Sequence, residues 1–287
     1  MFQQSKWILL GTFAIGLMNN GAYFALAKVV SMEVLGIYFF AFQIVLQVGV
    51  LLSNNLFQVL FPAFSRIIED TERSRVAILR SLNIVATAAT WVSVILVPIY
   101  EPIEKLLWHG KWAASIVPVQ ILSLCFSPNV ALSVVMAVQS ARGRFQQWGL
   151  MTLGLAVGTI LSVVVGAYWG GDPTSIALFF GLFNIVGGLI YSAIALRDFR
   201  IGAWILFKCI GPPWLIALGA AGITEVILNA CSFPLVPGLQ IALGASAFTV
   251  VYVLGIRIFR PLYLRQTIDI FPVPLRHGMK RLLWIPS

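Results

Sequence analysis

Long apolar runs separated by short polar connectors dominate the pattern along this chain. Each run has about 20 residues, the length with which an α-helix crosses a hydrocarbon layer about 30 Å thick. The runs are continuous rather than alternating, and lipid offers the backbone no hydrogen-bond partner, so they predict helices and not barrel strands. We place eight transmembrane spans at Trp7–Val30, Leu35–Phe61, Leu79–Tyr100, Ala113–Val138, Trp148–Trp169, Thr174–Leu196, Ile205–Leu228 and Gly238–Ile258.

The second predicted span carries a row of amide side chains. At about 100° per residue, four of its five amides fall within about 60° of one another on one helix face. A polar face on a membrane helix needs either a bundle interior or a water-filled cavity to contact. The first span carries amides and a tyrosine as well. The candidate polar positions of the two spans are Asn19, Asn20, Tyr23, Gln43, Gln47, Asn54 and Gln58.

The third and fourth spans also carry polar side chains at helical spacing. Taken alone, each set is typical of hydrogen bonds between neighbouring membrane helices. Four successive helices with polar rows indicate more than such contacts, and we expect a hydrophilic cavity between the first four helices. The polar residues of the third and fourth spans are Asn83, Thr87, Thr90, Gln120, Ser123 and Ser127.

Composition confirms that the chain belongs in a membrane. Of its 287 residues 60% are hydrophobic and 10% charged, with a mean hydropathy of +0.94, whereas a soluble domain is about half apolar and about a quarter charged. The all-α, polytopic class follows. A small-residue row in the fifth span predicts close approach of another helix. That row is Gly154, Gly158, Ser162, Gly166 and Gly170.

The net charge of +9 raises the question of a nucleic-acid partner. The eight spans place Lys28, Lys105 and Lys111 on one side of the membrane and the other 16 of the 19 basic residues on the opposite side. Because basic residues accumulate in cytoplasmic connectors, this asymmetry predicts cytoplasmic N- and C-termini and no nucleic acid. We expect a multi-pass protein of the bacterial inner membrane, in contact with its lipids.

Catalytic chemistry is not evident in the sequence. The two histidines, His109 and His277, lie outside the spans, and no nucleophile–base set or paired carboxylates can be assembled within the apolar core. Glu225 is the one carboxylate that we place clearly within a span, near its outer end, as an interfacial or proton-linked group. The three cysteines have no metal-binding spacing. We expect no enzyme, no metal and no cofactor.

Several short motifs occur in a recognisable order. The run NNGAYFALAKVVSMEVLGIY is followed by VLFPAFSR, by WHGKWAASIVPVQILSL and by QSARGR. In this order they resemble the polysaccharide and O-antigen flippases. That family belongs to the superfamily that also contains the MATE multidrug exporters and the peptidoglycan lipid flippases. The resemblance extends from about Trp7 to Arg200, and the last two spans match only in number.

The resemblance implies a domain organisation. Family members typically have two six-helix lobes followed by two further helices, and the eight spans here match the second lobe and the additional pair. Residues 1–200 are then a six-helix lobe, residues 201–258 two additional helices, and residues 259–287 a basic cytoplasmic tail. The first lobe is absent, which leaves three interpretations: a fragment, a half-transporter with a separate N-terminal lobe, or a homodimer.

The resemblance also implies a function. Such flippases move oligosaccharides linked to polyprenyl diphosphate from the inner to the outer leaflet, for cell-surface polysaccharide or lipopolysaccharide assembly. Lys28 matches a position that is often basic in the family, near the diphosphate. Ala22 stands where relatives often have an acidic residue, so ion coupling at that position is in doubt.

Three alternatives remain. A MATE-type small-molecule exporter would be expected to carry an intramembrane carboxylate, and none lies in the first six predicted spans. A membrane polysaccharide polymerase or ligase needs a large outer loop, whereas the longest one here is EPIEKLLWHGK. A non-transporting assembly subunit is the third. The glycan, the energy source and the oligomeric state are not specified by the sequence.

Overall fold

The computed structural model describes residues 2–130, 132–230 and 236–259, which are helical and contain no strand. Two short 3₁₀ turns, at Ala113–Ser115 and Arg197–Phe199, accompany ten α-helices within these residues. The α-helices are α1 (Phe2–Leu26), α2 (Met32–Ser65), α3 (Thr71–Val94), α4 (Leu96–Trp108), α5 (Ile116–Val130), α6 (Leu132–Ala141), α7 (Phe145–Gly170), α8 (Pro173–Ala195), α9 (Ala203–Ala230) and α10 (Pro237–Phe259).

The eight predicted spans are confirmed, and two of them are longer than expected. Helix α2 has 34 residues, about 50 Å at 1.5 Å per residue, well beyond the ~30 Å hydrocarbon layer. The third span, Thr71–Trp108, consists of α3 and α4 and has 38 residues. The predicted span was too short at both ends, because charged connector residues continue the helix into the aqueous layers. Helices α5 and α6 form the fourth span.

The third span contains a break for which proline accounts. Helix α3 ends at Val94 and α4 begins at Leu96. Pro98 lies one turn further on and has no N–H to donate to the carbonyl of residue 94, which weakens the helical ladder there. Ile95 keeps α-helical torsion angles and donates its N–H to the Trp91 carbonyl at 3.2 Å. The span therefore bends and remains continuous.

Helices α1, α7 and α8 are packed through glycines. A Cβ atom at Gly149 of α7 would lie 2.8 Å from the Trp7 carbonyl oxygen of α1. At Gly166 it would lie 3.0 Å from the Ser175 carbonyl oxygen and 3.1 Å from the Ile176 Cα of α8. These helix backbones therefore approach to distances that exclude any larger residue, which confirms the close approach predicted from the small-residue row.

Helices α9 and α10 pack on the outside of the third span. The Tyr252 hydroxyl of α10 donates to the Thr87 carbonyl of α3 at 2.9 Å, and the Trp91 indole N–H donates to the Thr249 hydroxyl at 3.2 Å. This arrangement is compatible with a 1–200 lobe and a 201–258 helix pair, a division that stays a prediction. The predicted tail at 259–287 lies outside the described residues except for Phe259, and so does Cys231.

Two core clusters occupy opposite ends of the first six spans. One centres on Ile78 and Leu82 of α3 with Val134 of α6, at the end that carries most of the arginines and that we call the basic end. The other centres on Tyr38 of α2 and Ile176 of α8, at what we call the opposite end. Space that is not filled by side chains remains between the two clusters.

Candidate functional site: a cavity and an amide face

A cavity of about 310 Å³ lies between the two core clusters. It is bounded by α1, α2, α5, α6, α7 and α8, which belong to five spans. The expected cavity between the first four spans is therefore displaced, because no described residue of the third span lines it. The lining is Ile15, Met18, Asn19, Phe42, Leu46, Gly49, Val50, Ser53, Phe57, Phe126, Asn129, Leu132, Ser133, Met136, Thr152, Leu155, Phe180, Asn184 and Tyr191.

Aromatic and hydrogen-bonded contacts close the two ends of the cavity. Phe42 and Phe180 meet edge to face, with ring centroids 5.2 Å apart, at the opposite end. Towards the basic end, the Tyr191 hydroxyl donates to the buried Gln139 side-chain carbonyl at 2.5 Å. Along the sides of the cavity, α1 packs chiefly on α7, whereas α2 packs on α5 and α6. As a result, α1 and α2 contact each other at few positions. The side of the cavity between α1 and α2 is therefore the least closely packed.

The cavity wall is mostly apolar, with a few amides and hydroxyls. Asn184 is buried and donates to the Phe180 carbonyl one turn earlier at 2.9 Å. Asn19 and Asn129 reach the wall from α1 and α5. Among the described lining residues none is Asp, Glu, Lys, Arg or His. Such a wall suits an uncharged, partly apolar group with a few hydrogen-bonding atoms.

Three of the residues predicted from sequence are brought together. Asn19 lines the cavity, and Tyr23 lies one turn further along α1. Tyr23 packs on Phe39 of α2, with ring centroids 4.7 Å apart, in the vicinity of Gln43 on the same helix. These contacts connect α1 to α2 beside the cavity, towards the opposite end.

Apart from Asn19, the described residues of the predicted set do not line the cavity. Gln47 and Gln58 are exposed on the outer surface of the bundle, because the amide row lies about 100° around α2 from the face that lines the cavity. Asn20 is exposed, and its side-chain amide donates to the Gly16 carbonyl one turn earlier in α1 at 3.2 Å. Lys28 is exposed in the turn after α1. The Asn54 side chain lies outside the described part of the structure.

Some side chains of the polar rows in the third and fourth spans form hydrogen bonds between and within helices, whereas the Thr90 and Ser123 hydroxyls are buried without a hydrogen-bond partner among the described residues. Gln120 of α5 donates to the Val97 carbonyl of α4 at 3.1 Å. Thr87 donates to the Asn83 carbonyl one turn earlier in α3 at 2.8 Å. These contacts support the interpretation that such rows hold helices together, rather than the interpretation that they line a hydrophilic cavity.

Sequence reasoning missed several residues of the cavity wall, Asn129, Asn184 and Tyr191 among them. Asn129 and Asn184 each stand as a single amide inside an apolar run, CFSPNV and GLFNIVGG. A single polar residue within a membrane helix is itself a signal. A search for rows at helical spacing does not detect it.

Glu104 requires a correction. It was counted as an outer-loop residue, but the third span extends to Trp108 and the Glu104 side chain is fully buried. Glu104 therefore lies in the helix of the third span, one turn beyond the predicted span end at Tyr100, where the helix continues out of the hydrocarbon layer. The expected absence of an intramembrane carboxylate from the first six spans stays a prediction. Among the described residues, no group of three His, Cys, Asp or Glu side chains is placed to hold a metal ion.

Within the described residues, eight helical segments are long and apolar enough to cross a bilayer, and five of them bound the cavity, so this chain is a polytopic membrane protein. Residues 1–118, from α1 to the first residues of α5, match the family described as polysaccharide biosynthesis protein. The match covers fewer than half of the 287 residues. It supports a role in polysaccharide biosynthesis at a membrane. No curated protein and no solved structure matches the chain.

Proposed function

We propose that this chain is a transporter of the flippase type that moves lipid-linked oligosaccharide across the bacterial inner membrane for cell-surface polysaccharide or lipopolysaccharide assembly. The observation that carries the proposal is the pair of exposed amides on α2, Gln47 and Gln58, about 100° around the helix from the face that lines an apolar cavity. The match of residues 1–118 to a polysaccharide biosynthesis family supports the same direction.

The chemistry of the two surfaces corresponds to the two parts of such a substrate. Sugars present many hydroxyl groups, and an amide side chain both donates and accepts hydrogen bonds with them. Gln47 and Gln58 are exposed and available for this role. The apolar wall of the cavity suits the hydrocarbon that follows the diphosphate. Lys28, exposed after α1, is positioned to attract the diphosphate as a point charge.

The proposed mechanism is alternating access. In such transporters one helical bundle rocks against another around a central site, which opens to each side of the membrane in turn. The amide face of α2 would then be one wall of the central site, and a second lobe would supply the other wall. That lobe comes from a separate N-terminal half, from a longer chain, or from a second copy.

The polymerase alternative is weakened by the structure. The longest predicted outer connector, EPIEKLLWHGK, is largely helical, because α4 extends from Leu96 to Trp108. The segment between α4 and the next 3₁₀ turn is only His109–Trp112. We therefore place transport ahead of glycan polymerisation.

Substitution of the amide face tests the proposal. In cells that depend on this protein for surface polysaccharide, we expect Gln47→Leu combined with Gln58→Leu to lower transfer of lipid-linked oligosaccharide at least about tenfold, since two hydrogen-bonding groups are lost. Both side chains are exposed, so the unfolding temperature should not fall. Gln240→Leu in α10, away from the cavity, is the matched control.

Transfer of glycan would be followed in inverted membrane vesicles with a labelled lipid-linked oligosaccharide, beside a panel of cationic drugs. Wild-type transfer by the double variant would contradict the proposed role of the amide face. Transport of drugs without transfer of glycan would favour the exporter alternative and would overturn the proposal.

A further inference from the structure

We propose that three aromatic side chains at the opposite end, Phe40, Trp108 and Trp112, form a platform that binds sugar rings, with Lys111 beside it for an acidic group. We call these three residues the aromatic platform. None of them lines the cavity. The choice of an oligosaccharide as the ligand rests on the proposed function, and in the predicted topology this is the outer end, where the glycan leaves the protein.

The rings of the aromatic platform come from two neighbouring parts of the fold. Phe40 belongs to α2, Trp108 is the last residue of α4, and Trp112 follows in the segment after α4. Phe40 is stacked on Trp112, with ring centroids 4.2 Å apart and planes at 14°, and it meets Trp108 edge to face at 5.2 Å. All three residues are half-buried, so each keeps accessible surface for a ligand.

A buried hydrogen-bond network fixes the backbone of Trp112. The Trp112 N–H donates to Glu104 Oε1 at 2.7 Å, and the Trp112 carbonyl accepts from the Ser115 hydroxyl at 2.7 Å. The Tyr100 hydroxyl lies 3.0 Å from the Ser115 oxygen and donates to it, because the serine proton is already engaged. Glu104 and Ser115 are both 0% exposed. The position of Trp112 is therefore set before a ligand binds, which lowers the ordering cost of binding.

The chemistry of the platform and its surroundings suits a sugar, and an acidic sugar in particular. The face of an aromatic ring is negative, whereas the C–H groups on one face of a sugar ring are apolar and weakly positive. Lys111 is exposed, its ammonium lies 5.9 Å from the centre of the Trp112 ring, and within the described residues it forms no salt bridge. Lys105, by contrast, pairs with Glu101 at 2.7 Å. Lys111 is therefore available to attract a sugar carboxylate as a point charge.

The aromatic platform continues the amide face of α2. At about 100° per residue, Phe40 lies about 20° around the helix from Gln47 and in line with Gln58. Gln47 is two helical turns from Phe40, about 10 Å along the axis, and both glutamines are exposed. An extended glycan can thus contact the amides and the platform at the same time.

The experiment measures binding of lipid-free oligosaccharides to the purified full chain in detergent by isothermal titration calorimetry. The probes are the hexamer of galacturonic acid, which is acidic, and maltohexaose, which is neutral. We expect both to bind, and hexagalacturonate to bind about two- to fivefold more tightly, the contribution of one exposed charge pair. Trp112→Ala should weaken binding of both probes by about tenfold, since one ring contact is lost.

Two further variants separate the parts of the site. Lys111→Ala should weaken binding of hexagalacturonate to the level of maltohexaose and leave maltohexaose unchanged. Trp169→Ala is the matched control, because Trp169 is 81% exposed at the end of α7, also at the opposite end, but outside the platform. It should bind both probes like the wild-type protein. If Trp112→Ala does not fold, Trp108→Ala takes its place, and Trp112→Phe, which keeps a ring, should retain most of the affinity.

Each outcome decides the question. Failure of the wild-type protein to bind either probe, wild-type affinity in the folded Trp112→Ala variant, or an equal loss in Trp169→Ala would overturn the platform. Wild-type affinity with a lowered unfolding temperature would show that the rings only anchor this end at the membrane interface. Because binding is measured without transport, glycan binding by a protein that transfers no lipid-linked oligosaccharide would contradict the proposed function and support the platform.

Discussion

Asp198 shows how individual charges connect two connectors at the basic end. One of its carboxylate oxygens accepts from Arg142 at 2.7 Å and from Arg144 at 2.6 Å, both in the connector between α6 and α7. The hydrogen bond from Arg142, with the charges of both guanidinium groups, holds the pKa of Asp198 below its ordinary value. The Arg142 guanidinium also lies 5.0 Å from the centre of the Phe199 ring.

The Asp198 interaction predicts a pH-dependent stability. A carboxyl whose pKa is lower in the folded state stabilises the protein above its unfolded pKa, and this stabilisation is lost as the pH falls through the folded pKa. We expect Asp198→Asn to cost about 0.2–1 kcal/mol at pH 7, the range of partly exposed ion pairs. As the pH falls through the lowered folded-state pKa of Asp198, the difference between the unfolding temperatures of the two proteins should disappear.

Thermal unfolding in detergent across this pH range measures the difference. Glu69→Gln, exposed in another connector at the basic end, is the control and should change little. A deficit of Asp198→Asn that persists unchanged at low pH would show that the charge of Asp198 is not what stabilises the connectors.

At the scale of the helix, α7 illustrates how a small-residue row acts unequally along its length. A Cβ atom at Gly166 meets the backbone of α8 at 3.0–3.1 Å, whereas at Gly154 it meets nothing within 4 Å. The row was evident from the sequence. Which of its members carry the contact depends on how α8 crosses α7, and only the packed structure shows that.

These two glycines form a matched pair for mutation. Gly166→Ala should lower the free energy of unfolding by about 1–3 kcal/mol, because backbone atoms of α8 have to move. Gly154→Ala should be neutral or stabilising by up to about 1 kcal/mol, since alanine favours the helix. Unfolding temperatures in detergent measure both, and equal effects of the two substitutions would contradict the packing of α7 on α8.

The whole molecule makes a topological prediction. With both termini cytoplasmic, the connector after the third span faces outward and the connector after the sixth faces the cytoplasm. We expect a membrane-impermeant maleimide applied to intact spheroplasts to label Lys111→Cys and not Gly202→Cys, in a background without the native cysteines. Both residues are exposed.

After permeabilisation, both positions should react, which controls for folding and accessibility. Labelling of Gly202→Cys alone in intact spheroplasts would show that the topology is the inverse of the predicted one. Labelling of both would show that the spans between them do not all cross the membrane.

The sequence alone determined the eight spans, their approximate limits and the class of the molecule. The physical reason is that a hydrocarbon layer of known thickness imposes one requirement on every span, which local composition either meets or does not. Span ends were less predictable, as for α4, because a helix that leaves the lipid can continue through charged residues.

Only the tertiary structure decided which polar residues face one another. The rotation of α2 turns Phe42 and Ser53 into the cavity and Gln47 and Gln58 outward, although all four lie in one apolar helix. The packing of the whole bundle also places Asn129 and Asn184, which are far apart in sequence, in one wall of the cavity, and it buries the Glu104 side chain. Helical periodicity indicates which residues share a face, but the neighbour of that face is set by the packing of the whole bundle.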